Sequence, residues 1–283
     1  MARLNALNIV VSGTTTKAQL AEIYGQVIDN VQKNTISNLL KNRHLSGDFN
    51  AGTLEAYRIE MSASKPYGTA RAAAKAEISK PKPVVVPVDK NRELLKEWEK
   101  YDLQRFGIVD LMKREAGNMA LSMERELETA FFDVAKTAGT KFTPKAGLTT
   151  WIQKTSDAIL AVEKTKNEFV HGVPRNLIHV VCDPTVYEEL RDFIDTQSKP
   201  NVDTTIEEFG RRHGVWYYSS IYLPTNVDFI IMVEESVAQP VKITQYDENG
   251  NIPLSNAVAD GFFYDYGCVG VMPDLIKWVG SAA

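Results

Sequence analysis

TLEAYRIEMSASKPYGTARAAAKAEISKPKPVVVPVD, residues Thr53–Asp89, is the stretch on which the rest of the chain turns. Over 54–62 the residues alternate, with Tyr57, Ile59 and Met61 on one side and Arg58 and Glu60 on the other, which predicts a strand. The middle, Ala63–Lys75, is small, basic and turn-forming around Pro66 and Gly68. The return over 76–89 holds Val84, Val85, Val86 and Val88, residues that favour strands. Pro81, Pro83 and Pro87 all stand at odd positions, so the missing N–H groups lie on one edge and the other edge stays free to pair. The proline edge is also blunted against chance pairing. A structureless Lys/Ala/Pro linker is the competing reading, and the valine run favours the hairpin. Such an arm has little apolar face of its own, and a neighbouring copy is its most economical support.

Beyond the arm, no proline occurs from Asn91 to Phe142, and apolar residues recur at helical spacing. Residues 91–103 read as a first helical stretch, with Leu94, Leu95, Trp98 and Leu103 on one face and Glu93/Glu97 and Lys96/Lys100 on the other. After Phe106-Gly107 a stripe runs through Ile108, Leu111, Met112, Met119, Met123, Leu127, Phe131 and Val134. It predicts a helix over about 108–138, roughly 45 Å long, more than twice the globular average and too irregular for a heptad seam. Met112, Met119, Met123, Leu127 and Phe131 are its expected core, the methionines acting as filler.

Upstream, Leu20, Ile23, Tyr24, Val27, Ile28 and Val31 make an amphipathic helix over about 16–41, preceded by a threonine cap. It either docks on a neighbour or packs on its own domain. A polar stretch, Lys41–Asn50, follows. Downstream, the pattern predicts a helix over Trp151–Val170, a buried strand Leu177–Cys182, and a helix to Asp195 opened by Asp183-Pro184. Strands are expected at Val215–Tyr222, Phe229–Glu234 and Val241–Tyr246, with a turn at Asp247–Gly250. An aromatic strand, Gly261–Val271, and a closing segment, Pro273–Val279, complete the chain. The fold class is α+β, with a mixed unit over about 145–260 and a C-terminal strand returning to pair with the first half.

The 283 residues are 44% hydrophobic and 24% charged with net charge −4, a soluble balance without the overall basic charge that grips nucleic acid. Cys182 and Cys268 lack partner spacing, so a reducing cytosol at the time of folding is expected. No apolar run reaches the ~18–20 residues of a membrane helix, and the N-terminus has no secretion-type apolar segment. His44, His171, His179 and His213 are dispersed, and His179 and Cys182, three apart on a strand, face opposite ways. Neither a nucleophile elbow nor a phosphate loop occurs. Glu188/Glu189, Glu207/Glu208 and Glu234/Glu235 read as solvated pairs, and the basic clusters Arg43/His44 and Arg211-Arg212-His213 as solvated loops. No cofactor, metal or catalytic residue is expected, and the chain reads as structural rather than enzymatic.

The order of parts resembles the major capsid proteins of tailed bacteriophages (the Hong Kong ninety-seven type fold), a layout shared with encapsulin shells and herpesvirus capsid floors. Glu55–Asp89 corresponds to the E-loop, Phe106–Ala138 to the spine helix, and His179–Pro184 to part of the axial domain. Tyr264–Pro273 corresponds to the last peripheral-domain strand. The resemblance covers about 50–279 and rests on architecture rather than a diagnostic motif. It implies an N-terminal arm at 1–52, an E-loop hairpin at 53–89, a peripheral domain at 90–144 with 261–283, and an axial domain at 145–260. It further implies self-assembly through hexamers and pentamers into an icosahedral virion shell, around double-stranded DNA and in the host bacterial cytoplasm. A scaffolding protein, a portal and a decoration protein are implied partners, and a membrane is not. With only about 50 residues before the E-loop, a scaffolding segment is either already absent or replaced by a separate protein. Tyr57, Arg58, Lys65, Pro66, Tyr67, Arg71 and Lys75 are the implied contacts with a neighbour. Lys65, Lys75, Lys80 and Lys82 offer amines for crosslinking, but no lysine–asparagine–glutamate set matches, and none is expected. The alternative is an encapsulin-like compartment that holds a cargo enzyme.

Overall fold

The computed structural model describes residues 14–61, 66–68, 81–195, 210–245 and 258–280. The chain divides into two compact units, one of Met1–Leu39, Val88–Glu128 and Pro240–Gly267, the other of Leu40–Pro87, Thr129–Gln239 and Cys268–Ala283.

In the first unit, helix α1 (Thr14–Asn34) buries Ile23, Val27 and Val31, one every four residues, within the chain itself. Thr35 interrupts it, its hydroxyl donating to the Val31 carbonyl at 3.0 Å, and a short α2 (Ile36–Leu40) follows. The stretch expected to begin a helical run is instead strand β4 (Lys90–Trp98), and helix α3 (Lys100–Phe106) starts only after it. The Glu93/Glu97 and Lys96/Lys100 spacings mimic helical pairs, but nine residues of backbone pairing prevail over that local preference. The partner is the aromatic strand β12 (Val258–Tyr266), which also pairs with β11 (Val241–Gln245) in an antiparallel sheet ordered β11-β12-β4. The C-terminal aromatic strand thus returns to the first half of the chain. Gly261 makes the close approach possible: its φ is +155°, and a Cβ there would stand 2.0 Å from the Leu94 carbonyl oxygen.

The long helix spans Ile108–Ala138, 31 residues, and is labelled α4. Gly107, at φ +73°, separates it from α3. Met112, Met119, Met123 and Leu127 are buried on its stripe, and in the second unit Phe131 and Phe132 are buried in an edge-to-face pair.

In the second unit the predicted hairpin is present at its base. Strand β2 (Thr53–Arg58) pairs antiparallel with β3 (Lys82–Pro87) from Thr53↔Pro87 to Arg58↔Lys82. The polar stretch before it supplies a further strand, β1 (Leu45–Asp48), giving the order β1-β2-β3. β3 is the edge strand, and the N–H groups that Pro83 and Pro87 lack lie on its unpaired side. Both strands are shorter than predicted, and the turn region Ala63–Lys75 falls largely outside the described residues.

A six-stranded mixed sheet, ordered β5-β14-β9-β6-β8-β7, forms the larger part of this unit. Its strands are β5 (Thr140–Lys141), β6 (Ile178–Cys182), β7 (Arg211–Arg212), β8 (Val215–Ser219), β9 (Phe229–Val233) and β14 (Lys277–Val279). A two-stranded ladder of β10 (Val237–Ala238) and β13 (Val269–Gly270) lies apart from it in hydrogen bonding. Helices α5 (Trp151–Glu163) and α6 (Pro184–Asp195) join one core with Ile178, Val180, Cys182, Phe229 and Ile231 of the sheet. α5 stops seven residues short of the predicted Val170. There the Asn167 side-chain carbonyl accepts from the N–H groups of Phe169 and Val170 at 2.9 and 2.8 Å and turns the chain. Asp183 accepts from the Thr185 N–H at 3.1 Å and opens α6 with Pro184 at its first turn. The Asp247–Gly250 turn lies outside the described residues.

Candidate assembly surface

The hairpin base has two unlike faces. Leu54, Ala56 and Val86 point into the unit and are buried, so the arm does have a face to bury at its root, contrary to expectation. Arg58 and Lys82, a cross-strand pair, close over the ring of Phe169 at 3.9 and 4.9 Å. The Arg58 guanidinium also donates to Asp274 at 2.8 Å, and Lys82 Nζ to Glu168 at 2.7 Å. The Met61 N–H donates to the Glu168 carbonyl at 3.1 Å. Arg58, implied as a neighbour contact, is therefore engaged by its own chain.

The opposite face is apolar and open. Tyr57 and Val85 stand on it, 44% and 55% exposed, and Ile59 and Met61 beyond the strand end are 62% and 52% exposed. Pro66 and Tyr67 are exposed as well. Lys65, Arg71 and Lys75 fall outside the described residues.

A polar cluster that the sequence did not reveal fastens the sheet of the first unit to the long helix. Glu126 accepts from Arg92 Nε at 2.6 Å, from the Tyr264 hydroxyl at 2.6 Å and from the Tyr266 hydroxyl at 2.9 Å. The two tyrosine rings stack at 6.2 Å. Burial works to raise the Glu126 pKa, but the hydrogen bonds from Tyr264, Arg92 and Tyr266 outweigh it and hold the carboxyl below its ordinary range. Burial, with the Glu126 hydrogen bond and charge, pushes Tyr266 up to about 12 and Tyr264 further still. The only sequence signal was two tyrosines two apart on one strand face.

Two residues on, Glu128 is buried and accepts from the Ser37 N–H at 2.6 Å, tying α2 to the long helix. Its other carboxylate oxygen has no partner among the described residues. Burial raises its pKa, against the Ser37 hydrogen bond, and the charge of Glu124 adds to the rise.

His179 and Cys182 lie on opposite faces of β6, both buried. His179 stacks on Tyr218 at 5.8 Å, and burial lowers its pKa to about 4. Burial pushes the Cys182 thiol far up and Cys268 to about 12, which suppresses the reactive thiolate. Among the described residues no group of three or more His, Cys, Asp or Glu side chains gathers where a metal could bind, and no helix is long and apolar enough to cross a membrane.

The architecture has clear counterparts among solved structures. A chain from Mycobacterium phage Che8 matches with a TM-score of 0.61 at 17% identity, covering 88% of this chain and 93% of that one. The capsid structure of the cyanophage P-SCSP1u matches with a TM-score of 0.60 at 14% identity, covering 86% of each chain. A virus-like particle from Pyrococcus furiosus matches with a TM-score of 0.57 at 12% identity, covering 92% of this chain and 98% of that one. No family model matches the sequence, and neither does any curated protein. At such identities the likeness is one of fold: the chain has the phage-capsid fold, α+β, over nearly its whole length.

Proposed function

We propose that this protein is the repeating subunit of an icosahedral shell, a major capsid protein of the tailed-phage kind. The observation that carries the reading is the near-full-length fold match to phage capsid structures, covering both partners almost end to end. The open apolar face at Tyr57, Ile59, Met61 and Val85 supports it, because an exposed apolar patch of this kind marks an interaction surface. In this reading the hairpin of 53–89 crosses onto an adjacent copy, with Tyr57, Pro66, Tyr67 and the basic Lys65, Arg71 and Lys75 touching it. Arg58 acts as the root that holds the hairpin on its own subunit.

Residues 1–52 form an N-terminal arm, 90–144 with 261–283 a peripheral domain, and 145–260 an axial domain through which hexamers and pentamers close. Many modest contacts repeated around closed rings give a shell stronger than any one interface. The shell encloses double-stranded DNA without reading its sequence. A scaffolding protein, a portal and a decoration protein are the further partners, and assembly takes place in the host bacterial cytoplasm.

A second reading, a protein compartment without a genome, is favoured by the match to the Pyrococcus furiosus particle. Purified particles separate the two. Nuclease-protected double-stranded DNA inside them supports the virion, and a co-purifying protein cargo without DNA supports the compartment. A monomer on sizing overturns both.

A further inference from the structure

The loop after α5, residues 164–172, forms a closed turn beside the hairpin base. The backbones of Lys166 and His171 bridge, the Gly172 N–H donates to the Thr165 carbonyl at 2.9 Å, and the Asn167 N–H donates to the Val170 carbonyl at 2.9 Å. The Val173 N–H donates to the Glu163 carbonyl at 3.1 Å, which ties the loop to the end of α5, and Val170 packs against the core of the sheet. A loop held by this many of its own backbone hydrogen bonds resists local opening.

The hairpin is fastened to this loop at three points. Phe169 lies under both Arg58 and Lys82, the last cross-strand pair of β2 and β3. One oxygen of Asp274 accepts from the Arg58 guanidinium at 2.8 Å and from Asn167 Nδ2 at 3.0 Å, so a single carboxylate joins hairpin and loop. The Met61 N–H, three residues past the last pair, donates to the Glu168 carbonyl. The Arg58 side chain is only 15% exposed, and its Nε has no hydrogen-bond partner among the described residues, so stacking on the ring is a main part of what seats it. Lys82 is paired with Glu168 at 2.7 Å and Glu60 at 3.6 Å. Both cations are thus matched by carboxylates of their own chain. The β2–β3 ladder fixes the hairpin's own shape, whereas these contacts act at its last pair and beyond, where the direction of the rest of the arm is decided.

We propose that the loop 164–172 aims the hairpin, with Phe169 as the positioning residue that seats Arg58 and Lys82, and that this aim sets the angle at which adjoining copies meet. A tilt of about 10° at the root moves a point six strand residues further out, about 20 Å away, by about 3.5 Å, close to a whole contact distance. The proposal rests on the shell-subunit reading and names the residues that direct the arm.

Phe169→Leu tests it, since it keeps an apolar side chain but removes the ring face. The unassembled subunit should keep the wild-type melting temperature. Hydrogen exchange at the Met61 amide should quicken, while the amides of the β2–β3 ladder stay protected. On assembly, the single sedimentation boundary of wild-type shells should give way to a spread of particle sizes. Phe169→Tyr retains the ring and should assemble like wild type. Asp274→Ala loosens the same fastening by another route, so it should give a similar spread and add little to Phe169→Leu. Phe169→Leu shells of wild-type size and uniformity overturn the proposal, and so does Phe169→Tyr failing as Phe169→Leu does. Should Phe169→Leu not fold, Asp274→Ala carries the test with the same expected and contrary results. Failure of the wild-type chain to form particles overturns the shell reading instead, and Met61 exchange, which needs no assembly, tells the two failures apart.

Discussion

Replacing Glu126 by alanine removes the acceptor shared by Arg92, Tyr264 and Tyr266. Both tyrosine rings are buried, at 2% and 3% exposure, so their hydroxyls have little access to water once the carboxylate is gone. An unpaired buried hydroxyl costs about 1–3 kcal/mol, so two give an upper range of about 2–6 kcal/mol. The Glu126 side chain is 32% exposed, and solvent entering beside it lowers the expected loss to about 2–3 kcal/mol. Urea unfolding of the unassembled subunit measures it. In a Tyr264→Phe/Tyr266→Phe background the same change should cost less than about 1 kcal/mol, because no hydroxyl is left stranded. Equal losses in both backgrounds would refute the argument.

The pH dependence follows with its sign. Glu126 titrates lower folded than unfolded, so its contribution is present above the unfolded carboxylate pKa and lost as pH falls through the folded one. Tyr264 and Tyr266 titrate above the ordinary 10.0, so their contribution is present below that pH and lost as pH rises toward about 12. Both dependences should disappear in the triple variant.

Three other changes probe separate features. Glu128→Gln should stabilise the subunit at neutral pH: the folded carboxyl titrates high, so its burial penalty is absent in acid and grows as pH rises through the folded pKa. Unfolding midpoints at several pH values check this, and a loss of stability at neutral pH contradicts it. Gly261→Ala would drive a methyl group into the Leu94 carbonyl, with an expected loss of about 3 kcal/mol or more, and a midpoint equal to wild type would show the strands are not that close. Met119→Asp buries a charge on the long helix and should abolish soluble folded protein, whereas native circular dichroism with a cooperative melt would mean the stripe faces water.

The features legible in the sequence were the local ones. The long helix could be read because a proline-free stripe of 31 residues states its own period, and the hairpin because prolines of one parity mark a strand edge. Strand β4 could not, since its character is decided by β12, which begins 160 residues after it ends, and its Glu/Lys spacing suits a helix. The short polar β1 offered no pattern and exists through its pairing with β2. Hydrophobic periodicity carries α5 on to Val170 because it does not register the Asn167 turn, a side-chain-to-backbone arrangement. The Glu126 cluster joins residues more than 130 apart, beyond any local pattern.

A high-resolution electron-microscopy reconstruction of the purified protein bears most directly on whether the hairpin serves a neighbour. Closed particles are expected, in which Tyr57, Ile59 and Val85 of each copy are covered by an adjacent one and Arg58 is still held at Asp274 of its own chain. Monomers, or particles in which that face remains bare to solvent, would contradict it.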